Sequence, residues 1–519
     1  MNPTSRHPAH LIAALAIALP WLNPFAPGPS PPVLQWLVTL VCTAVLLGLI
    51  ALRQLAGKDL ARVVAHGWLL AALLSSGIGL LQYFGVSGAL TPWVNATGVG
   101  EAFANLRQRN QFATLTNVGL AALLWWQAQR TPQGDLRQCN GHSLPLFLMA
   151  ALLALGNATS SSRTGMVQLF LLGTMAGVWH FNGRKPKDPK APNLALWLML
   201  VGLLVYGLAL LALPRVAGIN PASHGLLARL AEGDSACSSR TTLWRNVLTL
   251  IVQHPWQGWG WRELSYAHYI TPYPGLRFCE ILDNAHNLPL HLAVELGLPC
   301  AVLLCCGAFW LTLRVRPWSE TDPAKRVAWA VLAVILLHSM LEYPLWYGPF
   351  LSAALLCLAL LLQDTLPAPV QSGKQPGRGR NAAGAMSAAL LLFSVALAWD
   401  YHRVSQIFLS PTQRDAEYQY DTLNKVHSSW FFGDHVRYAA LTTATVTRGN
   451  AAELHAEALA LLHFSPEARV IEKVIESAVQ LGLDDEALLH MQRYRAAFPA
   501  EYAQWLKAGK EEPEPAPEQ

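Results

Sequence analysis

Residues 194–213 read LALWLMLVGLLVYGLALLAL, an uncharged apolar stretch long enough to cross a bilayer as one α-helix. Such a helix needs about 20 predominantly apolar residues to span the hydrocarbon core. With ten similar stretches, this one predicts eleven transmembrane helices, at 10–23, 33–52, 64–84, 111–127, 143–160, 163–181, 194–213, 288–313, 327–341, 349–363 and 385–399. Only 13% of the residues are charged, about half the ~25% that is usual in soluble domains. We therefore predict an all-α polytopic membrane protein.

The distribution of Lys and Arg among the short loops predicts the orientation of these helices. The loops after the second, fourth, sixth, eighth and tenth spans carry basic residues, whereas residues 24–32 and 342–348 carry none. Basic loops are retained in the cytoplasm. The N-terminus is therefore expected in the cytoplasm, and the long loop after residue 213 and the chain after residue 399 are expected on the outer face, which is the periplasm where the membrane is a bacterial inner membrane.

Five parts follow from the hydropathy pattern. Transmembrane helices at 1–213 precede a periplasmic loop at 214–287, in which we place the chemistry. Further transmembrane helices at 288–399 lead to a periplasmic helical domain at 400–510, and a Glu- and Pro-rich tail at 511–519 is expected to be disordered.

The periplasmic domain at 400–510 shows apolar residues at helical spacing in 451–463, 467–481 and 484–497. Short helices with alanine at packing positions favour a tetratricopeptide-like helical repeat. The alternative is a small helical cap without a binding role.

Two cysteines, Cys237 and Cys279, fall in the periplasmic loop, and the remaining six fall in spans or on the cytoplasmic side. Paired cysteines in an oxidising compartment predict a disulfide. A pair of buried thiols is the alternative.

Arginines follow small hydroxyl residues where two helices are expected to begin on the periplasmic side. These segments are Ser-Ser-Ser-Arg at 160–163 and Ser-Ser-Arg at 238–240. A helix N-terminus carries unpaired N–H groups and partial positive charge, and the guanidinium fork suits phosphate oxygens. Arg163 and Arg240, with Arg107 on the same face, are therefore candidate ligands of an anion such as a phosphate. The alternative is ordinary helix caps with arginines that meet lipid headgroups.

The stretch DNAHNLPLH at 283–291 lies where the polar loop turns into an apolar helix. A histidine at such a junction is close to both water and lipid headgroups, and a neutral imidazole is a suitable general base for a hydroxyl. His286 is therefore the candidate catalytic residue. A polar interface residue without a chemical role is the alternative.

Several classes of protein are disfavoured by the sequence. It has no HExxH motif, no Asp-x-Asp pair in the periplasmic loop, no Walker loop and no GxSxG motif. We therefore predict no metal site, no cofactor and no nucleotide-driven pump. Although the net charge is +5, the basic loops are not interleaved with aromatics, which argues against a nucleic-acid partner.

A series of short motifs resembles the bacterial O-oligosaccharyltransferases of the pilin-glycosylating kind, which share a superfamily with O-antigen ligases and polymerases. The motifs are LLQYFG (80–85), NLRQRNQ (105–111), SRTG (162–165), SRTTLWR (239–245), HPW (254–256), NAHN (284–287) and HSMLEYPLW (338–346). Their order and spacing carry the resemblance, since each motif alone is short.

The resemblance implies transfer of a preassembled glycan from undecaprenyl pyrophosphate to Ser or Thr hydroxyls of an exported protein such as pilin. It implies that His286 is essential and that Arg163 and Arg240 clamp the pyrophosphate. Further residues match family positions, Tyr343 as a catalytic residue and, as donor-binding residues, Arg107, Gln108, Gln111 and Asn287.

One departure from the family pattern leaves the acceptor open. Many ligase relatives read His-Asn-Glu where this chain reads His-Asn-Leu at 286–288. An O-antigen ligase or polymerase with a sugar acceptor is therefore the alternative within the superfamily. A transporter of lipid-linked glycans is the alternative from another class, and it would not need His286.

Overall fold

The computed structural model describes residues 6–30, 32–55, 57–130, 143–182, 194–220, 225–226, 236–363 and 378–508. Cys139 and the tail predicted to be disordered at 511–519 lie outside these residues.

All regular structure in the described part of the chain is helical. The helices are α1 (Arg6–Leu22), α2 (Pro32–Ala51), α3 (Gly57–Tyr83), α4 (Arg109–Arg130), α5 (Leu144–Thr159), α6 (Arg163–Asn182), α7 (Leu194–Val216), α8 (Arg240–Gln253), α9 (Leu264–Ile270), α10 (Leu288–Leu296), α11 (Leu298–Val315), α12 (Pro323–Ser339), α13 (Gly348–Leu362), α14 (Arg378–Ser405), α15 (Thr422–Val426), α16 (Gly433–Thr443), α17 (Ala451–Phe464), α18 (Ala468–Leu481), α19 (Asp484–Ala497) and α20 (Pro499–Ala508). Short 3-10 turns lie at Ser87–Leu90, Pro317–Ser319, Pro344–Trp346, Gln406–Phe408, Pro411–Gln413 and Ala416–Tyr418.

Five helices in the described ranges are long and apolar enough to cross a membrane. They are Pro32–Ala51, Asp59–Tyr83, Leu194–Val216, Leu298–Ser319 and Gly379–Phe408, and three shorter apolar helices lie at Pro8–Leu22, Leu144–Thr159 and Gly348–Leu362. The predicted class, an all-helical membrane protein, is confirmed. The count of eleven spans stays a prediction.

The chain divides into two compact units. The first unit comprises Met1–Gly233 and Phe309–Ala398. In it, α4 contacts α3, α5, α6 and α12, and every residue of α4 from 111 to 123 is buried. A helix that is covered on all sides is the centre of a bundle. Small residues allow the close packing, since a Cβ at Gly119 would overlap the side chain of Ala72.

The second unit comprises Asp234–Ala308 and Trp399–Gln519. The described part of the predicted loop from residue 236 onward therefore shares this unit with the helical domain predicted at 400–510, whereas residues 214–220 and 225–226 belong to the first unit. Two hydrophobic clusters fill the second unit. One joins Leu243, Val247 and Leu250 of α8 to Phe278 and Leu282.

The other hydrophobic cluster of the second unit lies among α17, α18 and α19. Val470, Ile471, Val474 and Ile475 form the buried face of α18, which packs on α17 and α19. Successive short helices pack in pairs, but a tetratricopeptide repeat stays a prediction.

The prediction of one continuous helix at 288–313 is wrong, because the helix is interrupted at Gly297. Helix α10 ends at Leu296 and α11 begins at Leu298. Gly297 has φ 86° and ψ 160°, a region that essentially only glycine occupies. The break is held by the backbone N–H groups of Trp259 and Gly260, which donate to Val294 O (2.8 Å) and Glu295 O (3.0 Å).

We expect Gly297→Ala to destabilise the second unit. The new Cβ would overlap the carbonyl group of Trp256, and the backbone conformation costs a non-glycine residue about 1–3 kcal/mol before any clash. The midpoint of thermal unfolding of the detergent-purified protein should fall clearly below that of the wild type.

Gly307→Ala is the matched control, because it lies inside α11 and a Cβ there meets no atom within 4 Å. Its midpoint should equal or exceed that of the wild type, since alanine is favoured over glycine in helices. Equal midpoints for both variants would refute the packing that we describe at Gly297.

Candidate active site

The carboxylate of Glu342 is the centre of a polar cluster in the first unit. It accepts hydrogen bonds from Gln108 Nε2 at 2.7 Å and Asn110 Nδ2 at 2.6 Å. His338 Nε2 lies 3.5 Å from it, one helical turn earlier in the chain. Glu342 thereby connects the start of α4 to the end of α12.

A chain of buried hydrogen bonds continues from this cluster into the bundle. His338 is fully buried, and its Nδ1 lies 3.0 Å from Thr114 Oγ1. Gln168 Nε2 donates to Thr114 Oγ1 at 2.9 Å and to Val334 O at 3.0 Å. Polar groups within a bundle are costly unless they are satisfied, and they mark functional sites by default.

The start of α6, which carries Arg163, is joined to the same cluster. Ser162 Oγ donates to Asn110 Oδ1 at 2.5 Å and accepts from the backbone N–H of Gly165 at 2.9 Å. Ser162 thus caps α6 and ties it to α4, and Arg163 is the first residue of α6. Within the first unit, Gln108 therefore belongs to the hydrogen-bonded group that also holds Ser162, the residue before Arg163.

The other predicted residues of the first unit have the following positions. Gln111 is buried, and its backbone N–H donates to Gln108 Oε1 at 2.6 Å. Tyr343 follows Glu342, and its ring stacks on Tyr347 with 5.9 Å between centroids. Arg107 Nη2 donates to Pro24 O at 2.5 Å. Arg107 therefore has a structural contact with a distant part of the chain, in addition to its predicted contact with the donor.

In the second unit, Arg240 is the first residue of α8. Ser239 caps this helix, because its Oγ accepts from the backbone N–H of Thr242 at 3.2 Å. The structure contains a disulfide between Cys237 and Cys279, with 5.4 Å between the Cα atoms. The start of α8 is thereby tied to the segment that leads to His286.

The backbone around His286 is held in an unusual conformation. His286 has φ 50°, in the left-handed region that non-glycine residues rarely occupy. Its N–H donates to Asn284 Oδ1 at 2.9 Å, and Trp244 Nε1 donates to Ala285 O at 3.1 Å. Strain of this kind persists only where the surroundings enforce it, and it is frequent at functional sites.

The indole of Trp244 also places the turn that carries His286 beside the helix face that begins with Arg240. Arg240 and Trp244 are four residues apart on α8, so their side chains share one face of the helix. Because Trp244 binds the carbonyl of Ala285, the turn that carries His286 adjoins that face. The predicted residue Asn287 caps α10, since its Oδ1 accepts from the N–H of Leu290 at 3.1 Å.

His291 and Glu295 form a buried pair in α10, a helix of nine residues that is too short to span a bilayer. Their side chains approach to 3.5 Å. Burial lowers the pKa of His291 to about 4 and raises the pKa of Glu295 to about 7. The imidazole is therefore neutral at pH 7, and the pair lies in the turn of α10 that precedes the break at Gly297.

Sequence reasoning missed several members of the polar cluster around Glu342. Asn110, Thr114, Asn117 and Gln168 lie at the ends of predicted spans or inside them, and all but Asn110 are buried. Amides and hydroxyls within apolar stretches were the signal that could have found them. No group of three or more His, Cys, Asp or Glu residues that could hold a metal ion occurs in the described ranges.

Comparison with known proteins identifies three families along the chain. The model described as "Protein glycosylation ligase" matches residues 102–126, "O-Antigen ligase" matches 148–305, and "Virulence factor membrane-bound polymerase, C-terminal" matches 327–512. The matches include Arg107, Gln108, Arg163, Arg240, His286 and Tyr343.

Two similar proteins come from Acinetobacter baylyi. A general O-oligosaccharyltransferase is 26% identical over 300 residues, which are 57% of this chain and 49% of the relative. A ComP-specific O-oligosaccharyltransferase is 24% identical over 257 residues, which are 49% of this chain and 42% of the relative. The match thus spans about half the length of each relative. The resemblance found in the motifs is confirmed, since the chain is similar to O-antigen ligases and to O-oligosaccharyltransferases.

Proposed function

We propose that this protein transfers a preassembled glycan from undecaprenyl pyrophosphate to Ser or Thr hydroxyls of an exported protein such as pilin. The observation that carries the proposal is the bond from Trp244 Nε1 to Ala285 O. It holds a strained histidine beside the face of α8 that begins with Arg240. The names of the two relatives support a protein acceptor.

In the proposed reaction His286 is the general base. The acceptor hydroxyl gives its proton to the imidazole while its oxygen attacks the anomeric carbon of the first sugar. The bond from that carbon to the phosphate oxygen breaks, and undecaprenyl pyrophosphate leaves with the electron pair. The proton then passes from His286 to solvent. The reaction as proposed needs no metal and no cofactor.

Arg163 and Arg240 have the same task in this proposal. Each is the first residue of a capped helix, so each guanidinium is at a helix N-terminus that favours anions. Preorganised cations stabilise the charge that grows on the leaving pyrophosphate. Arg107, Gln108, Gln111 and Asn287 are proposed as further donor-binding residues, and Tyr343 is proposed as a further catalytic residue.

The proposed reaction fits an inner-membrane protein with eleven spans and a cytoplasmic N-terminus. In that topology the loop with His286 and the helical domain after residue 399 face the periplasm, where exported proteins are found. The acceptor protein, the lipid-linked glycan and the bilayer are the proposed partners.

A sugar acceptor is the second candidate. The matches to the O-antigen ligase family and to the virulence factor membrane-bound polymerase family favour it. The donor chemistry is the same in both candidates, so only the acceptor distinguishes them.

We expect His286→Ala and His286→Asn to abolish glycan transfer in a cell that carries a known lipid-linked glycan. A positioned general base contributes roughly 10²–10⁴-fold to rate, so glycoprotein should fall at least a hundredfold. Asparagine tolerates the left-handed backbone but cannot act as the base. Glycoprotein bands and lipopolysaccharide ladders are read side by side.

His427→Ala is the control, because His427 is exposed and its ring bonds only its own turn at Asn424 O. It should leave glycoprotein unchanged. Loss of the lipopolysaccharide ladder alone in the His286 variants would support the sugar acceptor. Full activity of both variants would overturn the catalytic role of His286.

We expect Arg163→Lys and Arg240→Lys to lower kcat/KM for the lipid-linked donor by about tenfold or more, because lysine keeps the charge but loses the bidentate fork. Transfer from purified donor to an acceptor peptide measures this. Arg245→Lys, an exposed position on the same helix α8, is the matched control and should resemble the wild type. Equal kinetics for all three variants would contradict a pyrophosphate clamp.

We expect Glu342→Gln to reduce glycan transfer because its new amide N–H₂ faces the amide donors of Gln108 and Asn110. An unpaired buried donor costs about 1–3 kcal/mol. The reciprocal double variant Glu342→Gln with Asn110→Asp restores a donor opposite a carboxylate, so it should recover part of the activity and of the thermal midpoint. Additive losses in the double variant would show that Glu342 and Asn110 act independently.

A further inference from the structure

A cavity of about 250 Å³ lies in the first unit between α4, α6, α7 and α12. Alanine, leucine and valine side chains form most of its wall. Its polar side chains are Gln127, His180 and Arg326, with the indoles of Trp125 and Trp179 beside them. This volume is below the roughly 300–1,000 Å³ of sites for drug-sized molecules, so it fits one headgroup and not a whole lipid.

The position of the cavity indicates a membrane surface. It is lined by the last turns of α4 and α6 and by the first turns of α7 and α12. These are the helix ends that the distribution of Lys and Arg predicts to be cytoplasmic. The site is separate from the cluster around Glu342, which lies at the opposite ends of α4, α6 and α12.

Arg326 provides unused donors at this cavity. Its Nε donates to Glu320 O at 2.7 Å, and its guanidinium carbon lies 5.7 Å from the ring centroid of Trp179. Its two terminal nitrogens have no hydrogen-bond partner among the described residues. The fork is thus oriented by one bond and one aromatic face, with four N–H groups left for a ligand.

The carboxylates near Arg326 are engaged elsewhere. Glu320 Oε1 accepts from the N–H groups of Thr321 and Asp322, and Asp322 Oδ1 caps α12 by accepting from Ala324. Neither forms an ion pair with Arg326. The guanidinium charge is therefore not neutralised by direct contact in the described part of the chain.

Trp125 gives a second, independent indication. It lines the cavity and is 8% exposed, and its Nε1 is buried without a hydrogen-bond partner in the described part of the chain. An indole N–H only donates, and a buried donor that stays unpaired is rare and costly. An oxygen acceptor in the cavity would satisfy it.

We propose that this cavity binds the phosphodiester headgroup of an anionic phospholipid, with Arg326 as the cation and Trp125 as a neutral donor. The apolar wall accommodates the glycerol and the first methylene groups. Basic pockets between transmembrane helices on the cytoplasmic side are suited to such headgroups. The proposal is independent of the transfer reaction.

Native mass spectrometry of the delipidated full-length protein in detergent tests this. The probes are phosphatidylglycerol, zwitterionic phosphatidylcholine and inorganic phosphate. The wild type should retain one phosphatidylglycerol in preference to phosphatidylcholine. Arg326→Ala should lower the bound fraction by about tenfold or more and Trp125→Phe by several-fold, as expected for hydrogen bonds to a charged group.

Arg314→Ala is the control, because it removes the same charge from an exposed residue near the end of α11 that does not line the cavity. It should bind like the wild type. Equal loss in all three variants, or equal binding of phosphatidylcholine, would overturn the proposal. Displacement by inorganic phosphate at equal concentration would show a free-anion site and refute the lipid. Trp125→Phe keeps an aromatic ring in the wall of the cavity and removes only the indole N–H donor. It therefore tests the site even where Arg326→Ala does not fold.

Discussion

The hydrogen bonds that the carboxylate of Glu342 accepts from Gln108 and Asn110 fix the helices of the first unit relative to one another at its polar end. Apolar helices can pack in many rotations, since leucine and alanine surfaces differ little from one another. A buried carboxylate is different, because it costs several kcal/mol unless donors surround it. Gln108 and Asn110 are those donors, and Asn110 also accepts from Ser162. The starts of α4 and α6 are therefore fixed relative to the end of α12.

A comparable constraint acts on the second unit, although it is built from different chemistry. The disulfide between Cys237 and Cys279 ties the start of α8 to the following segment, and Phe278 N–H donates to Asn246 Oδ1 at 2.7 Å. Trp244 then binds Ala285 O. These three connections along one helix hold an otherwise irregular segment, so the left-handed backbone of His286 is enforced by its neighbours. In each unit, an arginine is the first residue of a helix whose start is held in this way.

The sequence was sufficient to predict the helical membrane class. A continuous apolar stretch such as 194–213 can satisfy its backbone hydrogen bonds in a bilayer by forming an α-helix. The sequence also identified the capped arginines, since Ser239 and Arg240 are adjacent in the chain. The break at Gly297 was not predictable, because its cause is the backbone of residues 255–260, which is distant in sequence. The partners of Glu342 were equally hidden, since Gln108 and Asn110 are more than 230 residues away.

Segments that are distant in the chain also contact each other in the second unit. This unit contains both the chain from residue 234 to 308 and the chain after residue 398. Tyr269 of α9 is buried, and its hydroxyl lies 2.8 Å from His490 Nδ1 of α19.

Burial lowers the pKa of His490 to about 4 and raises the pKa of Tyr269, so a neutral imidazole can accept from the phenol. Tyr266 also stacks on His463, which binds Glu263 at 2.7 Å. Removing the C-terminal helices would expose these groups of α9, and the segment that carries His286 follows α9 directly. The C-terminal helices are therefore part of the structure that holds the proposed base, whichever acceptor it serves.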